Sequence, residues 1–167
     1  MTRLSLLAAF GLLLPGCALQ PLYSGGSSGA VATALRSVQV APIEGQAGWL
    51  VSNKLQERLG DGATAGEARY RLEVELDDDI TSFGIRGDRA ATRERRSLRA
   101  RYRLVEIDRG TVVLDATAGS DAGIDVVSSE YATVAAEQTA LERLAEVVAD
   151  QIIARLGLFA SRTAGTR

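Results

Sequence analysis

Eight arginines, Arg86, Arg89, Arg93, Arg95, Arg96, Arg99, Arg101 and Arg103, stand within one stretch against two acids, Asp88 and Glu94. The stretch contains no lysine, and Lys54 is the only lysine in the chain. A guanidinium is a planar fork of N–H donors that meets a phosphate or carboxylate through two parallel bonds. The chemistry offered here is anion recognition. Little else reactive is present. The chain has no histidine, which removes the usual general base near neutral pH, the commonest metal ligand and the usual partner of a Ser or Cys nucleophile. No Gly-rich phosphate loop, no metal-ligand cluster and no nucleophile beside a base is found. Asp77-Asp78-Asp79 invites a calcium reading, but strand alternation sends Asp78 to the opposite face and no EF-hand pattern follows. These acids read as the solvated end of a strand. No catalytic residue, metal or cofactor is expected, and an enzyme, a hydrolase included, is disfavoured.

The remaining reactive group is the thiol of Cys17, the single cysteine. Alone, it cannot form an internal disulfide, so stability must come from packing. Before it stand a basic start, Met1-Thr2-Arg3, and an apolar run from Leu4 to Leu14. The run is shorter than the about 20 residues a membrane helix needs and has the layout of a secretory leader. Leu14-Pro15-Gly16-Cys17 resembles the lipobox of bacterial lipoproteins, with Pro15 where Ala or Ser is more usual. The resemblance implies cleavage between Gly16 and Cys17 and a lipid-modified cysteine carrying three acyl chains, a covalent lipid that is a stable anchor because one chain alone holds only marginally. The competing reading is a buried helix with an ordinary core thiol.

Removal of residues 1–16 leaves 151 residues with 18 basic and 21 acidic side chains, a net charge of −3. That length suits one domain with a real core, and the charge gives no reason to expect nucleic acid. Residues 17–36 read as acylated N-terminus and Gly/Ser-rich tether, 37–158 as the domain, and 159–167 as a loose tail.

The arginines need elements to position them. Val38 and Val40 alternate with polar residues up to Pro42, a short strand. Gln46 to Leu59 carries Val51, Leu55 and Leu59 on one helical face, with Trp49 expected in the core and Gly60 as the stop. From Tyr70 the period is two: Tyr70, Leu72, Val74 and Leu76 point one way, and Glu73, Glu75, Asp77 and Asp79 the other. After a turn between Gly84 and Gly87, Leu98, Ala100, Tyr102 and Leu104 form an inner face and Arg93, Arg95, Arg99, Arg101 and Arg103 an outer one. Asp108-Arg109-Gly110 turns into a third strand with Val112, Leu114, Ala116 and Ala118 inward. Ser128 or Ser129 caps a long helix whose stripe is Val134, Leu141, Leu144, Ala145, Val148, Ile152 and Leu156, with Gly157 marking its end. The expectation is an α+β domain of order β-α-β-β-β-α, a four-stranded sheet with two helices packed on one face.

Gln20-Pro21-Leu22-Tyr23 behind the lipobox cysteine resembles the mature start of the LptE family, although Ala18, Leu19 and Ser24 depart from its pattern. The element order, the Arg-rich strand after the hairpin and Ser129-Glu130-Tyr131 ahead of the last helix extend the resemblance over nearly the whole chain. It implies a non-enzymatic lipoprotein, on the periplasmic side of the outer membrane, that helps the LptD barrel mature, plugs it and takes part in lipopolysaccharide transport. Ala18, in place of the Asp that commonly retains lipoproteins in the inner membrane, fits that location. The partners implied are LptD, lipopolysaccharide and, through the anchor, outer-membrane lipid.

Two readings of the arginines stay open. Antiparallel pairing would set Glu73, Glu75, Asp77 and Asp79 across from Arg99, Arg101 and Arg103 as ion pairs of about 0.2–1 kcal/mol each. Arg93, Arg95 and Arg96, nearer the turn, face Ile80, Thr81 and Ser82, which offer no charge; with Arg86 and Arg89 they are the candidate contacts to lipopolysaccharide or a partner. The rival function is a lipoprotein that carries lipid alone. It needs an apolar cavity of a few hundred cubic ångströms, whereas Ala135, Ala136, Ala140 and Ala145 point to tight helix packing.

Overall fold

The computed structural model describes residues 29–60, 68–85 and 91–164; the leader, Cys17, Gln20–Tyr23, Arg86 and Arg89 lie outside them. The element order is α1 (Ala30–Arg36), β1 (Val38–Val40), α2 (Gly45–Leu59), β2 (Tyr70–Ile85), β3 (Ala91–Glu106), β4 (Thr111–Asp125) and α3 (Glu130–Ala164). One sheet runs β1-β2-β3-β4. β1 is parallel to β2 through the α2 crossover, and the other neighbours are antiparallel. The fold is the expected α+β one, with α1 added ahead of β1.

Alternation builds the core. Leu72, Val74, Leu98, Ala100, Tyr102 and Leu104 are buried on one sheet face under Val51, Leu55, Leu59 and the long stripe of α3. α3, at 35 residues, is about 50 Å long at 1.5 Å per residue. A strand of 16 residues such as β2 has nearly the same length at about 3.3 Å per residue, so one helix spans the whole hairpin. α2 lies parallel to α3: Gln46 donates to Gln138 at 2.9 Å, and twelve residues on Arg58 bonds Asp150 and reaches Glu146 at 3.4 Å. Gly48 lets the start of α2 close on the loop before it, since a Cβ there would lie 2.6 Å from the Ile43 carbonyl oxygen.

Several side chains depart from the expected pattern. Trp49 is 64% exposed, not core. It sits two residues from buried Val51, about 200° around the helix. Val134 is 56% exposed and Thr133 takes the buried position; α2 begins alongside Gln138, so nothing from it covers the first turns of α3. Ala135 and Ala136 also face solvent, while Ala140 and Ala145 are buried. A register shift between Leu104 and Val105 puts two residues of β4 against one of β3, which turns Val112 outward and leaves Val113 against the core.

α3 does not stop at Gly157 but continues to Ala164. The residues beyond the glycine have apolar surface to bury: Phe159 packs edge-on against Tyr70, ring centres 6.0 Å apart, and Ala160 is buried. The start of α3 is as expected. The Ser129 hydroxyl lies 3.4 Å from the Ala132 N–H, and Glu130 occupies the first turn.

Candidate anion-binding face

The sheet face away from the helices carries the odd-numbered side chains of β2 and β3, and three of the four acids stand as expected, Glu73 opposite Arg103, Glu75 opposite Arg101 and Asp77 opposite Arg99, whereas Asp79 faces Ser97 and no arginine. The ion pairs are not the expected ones. Arg99 and Arg101 turn to β4 instead, Arg99 to Asp121 at 2.8 Å and Arg101 to Asp115 at 3.1 Å. Only Arg103 reaches back to β2, lying 3.5 Å from Glu73 and 3.4 Å from Glu75. Glycine explains the choice at Arg99. A Cβ on Gly119 would lie 2.6 Å from Arg99 Cδ, so the bare backbone lets Arg99 cross β4, donating to the Ser120 carbonyl at 2.8 Å on the way to Asp121. The pairs show in the carboxylates. Asp121 is held below the usual range by the Ser97 hydroxyl and then Arg99, and Asp115 by Arg101.

The turn-proximal arginines separate. Arg96 lies on the helix-covered face with its side chain 12% exposed. It grips Asp78 through two bonds of 2.8 and 2.6 Å and donates to the Glu137 carbonyl of α3 at 3.0 Å. The Asp78 bond, more than any other cause, raises its already high pKa. Its donors are spent inside the fold, joining β2, β3 and α3. Arg93 and Arg95 lie on the open face. Arg93 meets Asp125 at 3.2 Å, both side chains mostly in water, where a pair contributes about 0–1 kcal/mol. Arg95 sits over the Phe83 ring, 5.6 Å from its centre.

The same end of the molecule exposes apolar groups, among them Val134, which its spacing had put on the buried stripe of α3. Ile80, Phe83, Val127, Tyr131 and Val134 are 39–86% exposed. Arg93 opposite Asp125 brings the end of β4 to the hairpin end, and the bond from Arg96 to Glu137 brings the first turns of α3 there. Arginine donors and bare hydrocarbon thus share one end.

At the other end, α1, the tail of α3 and the head of the sheet border a half-open cavity of about 430 Å³ walled by Leu35, Val38, Tyr70, Leu104, Leu156 and Phe159. The small alanines of α3 did not foretell it. Among the described residues, no group of three or more acidic side chains is placed to hold a metal ion, and no helix is long and apolar enough to cross a membrane.

Residues 35–156 match the family model described as LptE, lipopolysaccharide assembly. The chain belongs to the LptE family. LptE-family lipoproteins serve lipopolysaccharide assembly and are not enzymes. A lipoprotein from Caulobacter crescentus is similar in structure, at 22% identity and a TM-score of 0.64, the match covering 80% of this chain and 98% of that one. A minor lipoprotein from Acinetobacter baumannii follows at 12% identity and a TM-score of 0.60, covering 74% and 92%. The rare lipoprotein B of Shewanella oneidensis gives 9%, 0.59, 76% and 96%. At such identities these structures establish the LptE-like fold and nothing finer. No curated protein matches the sequence.

Proposed function

We propose that this LptE-family chain is the lipoprotein partner of an LptD barrel, seated in the barrel and handing lipopolysaccharide toward the cell surface. Cleavage between Gly16 and Cys17 and acylation of Cys17 tether it to the periplasmic side of the outer membrane. The observation that carries this reading is the open sheet face. Its charges are exposed but mutually balanced, Arg99 with Asp121, Arg101 with Asp115 and Arg103 with Glu73 and Glu75. A subunit inside a polar barrel lumen has to present such a surface.

Lipopolysaccharide joins phosphorylated sugars to acyl chains. Arg93 and Arg95, with Arg86 and Arg89 from the stretch between β2 and β3, supply donors for its phosphates, and Phe83, Tyr131 and Val134 supply hydrocarbon for its chains. Arg96 serves by holding that end of the fold in place. Depleting the protein in its native host tests the proposal: barrel protein accumulates immature and newly made lipopolysaccharide fails to reach the surface. Normal surface lipopolysaccharide after depletion contradicts it.

One observation favours the lone lipid carrier, namely the apolar cavity beside α1. It bears on what the chain can hold, and leaves the balanced sheet face without a role.

A further inference from the structure

We propose that the cavity beside α1 is a binding site for one acyl chain of a free lipid whose carboxylate or phosphate head rests on Arg69. The proposal does not depend on the barrel partner. At about 430 Å³ the space falls within the size range of small-molecule sites. At roughly 30 Å³ per atom, the share of a liquid water molecule, it holds about a dozen carbons. Its apolar walls come from five elements: Leu35 of α1, Val38 of β1, Tyr70 of β2, Leu104 of β3, and Leu156 and Phe159 of α3. An apolar cavity gains nothing from water and takes hydrocarbon.

Four polar residues join the lining, of which half-buried Ser37 donates its hydroxyl to the Ala34 carbonyl at 2.7 Å while Thr33, Arg69 and Thr163 are exposed. The Arg69 side chain is 43% exposed. Of its five N–H donors, one goes to Glu106 at 3.1 Å, while the guanidinium lies 5.2 Å from the centre of the Tyr70 ring that forms part of the wall. Glu106 is also bound by Arg109 at 3.2 Å, and Asp108 stands near Arg69. Local charge is therefore balanced, and the head group is held by directed N–H and O–H donors. This decides the source of the chain. A carboxylate or phosphate sets two charged oxygens on the guanidinium fork of Arg69, whereas acyl groups linked to a cysteine bring only single neutral carbonyls.

The test uses the full acylated protein in mild detergent with a photoactivatable long-chain fatty acid, and the labelled peptides are mapped by mass spectrometry. The expected result is saturable labelling, displaced by palmitate, on the peptides holding Leu35, Leu156 and Phe159. Ala34→Phe, which fills the space, weakens labelling at least tenfold. Should it fail to fold, Thr33→Trp at the exposed edge gives the same loss without touching the core. Arg69→Gln weakens the fatty acid but not the matching alcohol probe. Scattered or unsaturable labelling, or labelling undiminished in the filled variant, overturns the proposal. So does labelling that appears only in a Cys17→Ser chain, because the protein's own anchor then occupies the cavity.

Discussion

Gln151 of α3 pairs with the backbone of Gly119 as a neighbouring strand would: the Gly119 N–H donates to Oε1 at 3.0 Å, and Nε2 donates to the Gly119 carbonyl at 3.2 Å. β4 is the last strand of the sheet, and an unpaired edge is a template for pairing with another chain. One side-chain amide covers it at the point where the strand has no side chain of its own. Gln151→Ala removes two hydrogen bonds worth about 0.5–1.5 kcal/mol each. The melting temperature is expected to fall by several degrees, with concentration-dependent self-association visible in light scattering. A melt and a scattering profile identical to wild type would remove the capping role.

Arg96 and Arg93 are three residues apart on one strand and are expected to behave oppositely. Arg96→Ala strips Asp78, whose side chain is 24% exposed, of two charged bonds and Glu137 of one; bonds to charged groups contribute about 1.5–3 kcal/mol. A loss of about 2–4 kcal/mol in urea denaturation is expected for Arg96→Ala, against less than about 0.5 kcal/mol for Arg93→Ala at its exposed pair. Equal losses would mean that the separation of the two faces is wrong.

Arg93→Ala combined with Arg95→Ala leaves stability within about 0.5 kcal/mol, because neither side chain anchors the core. Lipopolysaccharide binding is expected to weaken by about tenfold, with a shallower dependence on salt, since screened charge contacts are what is removed. Binding unchanged in both respects would take the open-face arginines out of the site.

Asp115 and Asp121 titrate below the usual carboxylate range in the folded protein, so each contributes stability that is fully present above the unfolded value of about 3.9. The contribution is lost as pH falls through the folded value. The difference in melting temperature between wild type and an Asp115→Asn/Asp121→Asn variant is therefore expected to stay flat from pH 7 to about pH 5 and to close below about pH 4. A difference that grows toward low pH would contradict the pairing.

Strand alternation made the sheet legible in the sequence. It put Arg93, Arg95, Arg99, Arg101 and Arg103 on one face and set odd-numbered residues of β2 against odd-numbered residues of β3, because a period of two is a local property. What it could not give was the choice between neighbours. Arg99 faces Asp77 across β2 but turns to Asp121 on β4 because Gly119 leaves room, and that depends on a strand twenty residues away. Helix limits failed for a related reason. Gly157 looked like a stop, yet Phe159 finds Tyr70 beyond it. α1, at seven residues, is too short to announce itself by periodicity and holds by packing Leu35 into the core. The cavity joins residues from both ends of the chain, and no local pattern records it.

Trp49 is the only tryptophan and is 64% exposed, which makes it a clean reporter. Its fluorescence in the isolated protein is expected to be strongly quenched by acrylamide, and Trp49→Ala to cost less than about 0.5 kcal/mol. A shielded signal or a large loss of stability would restore the tryptophan to the core.

The central claim is the partnership with a barrel, and purification from native membranes in mild detergent tests it most directly. The account predicts that the acylated chain elutes with an LptD-type outer-membrane barrel in a one-to-one complex that survives high salt. A chain that elutes alone, carrying phospholipid and no barrel, would contradict it.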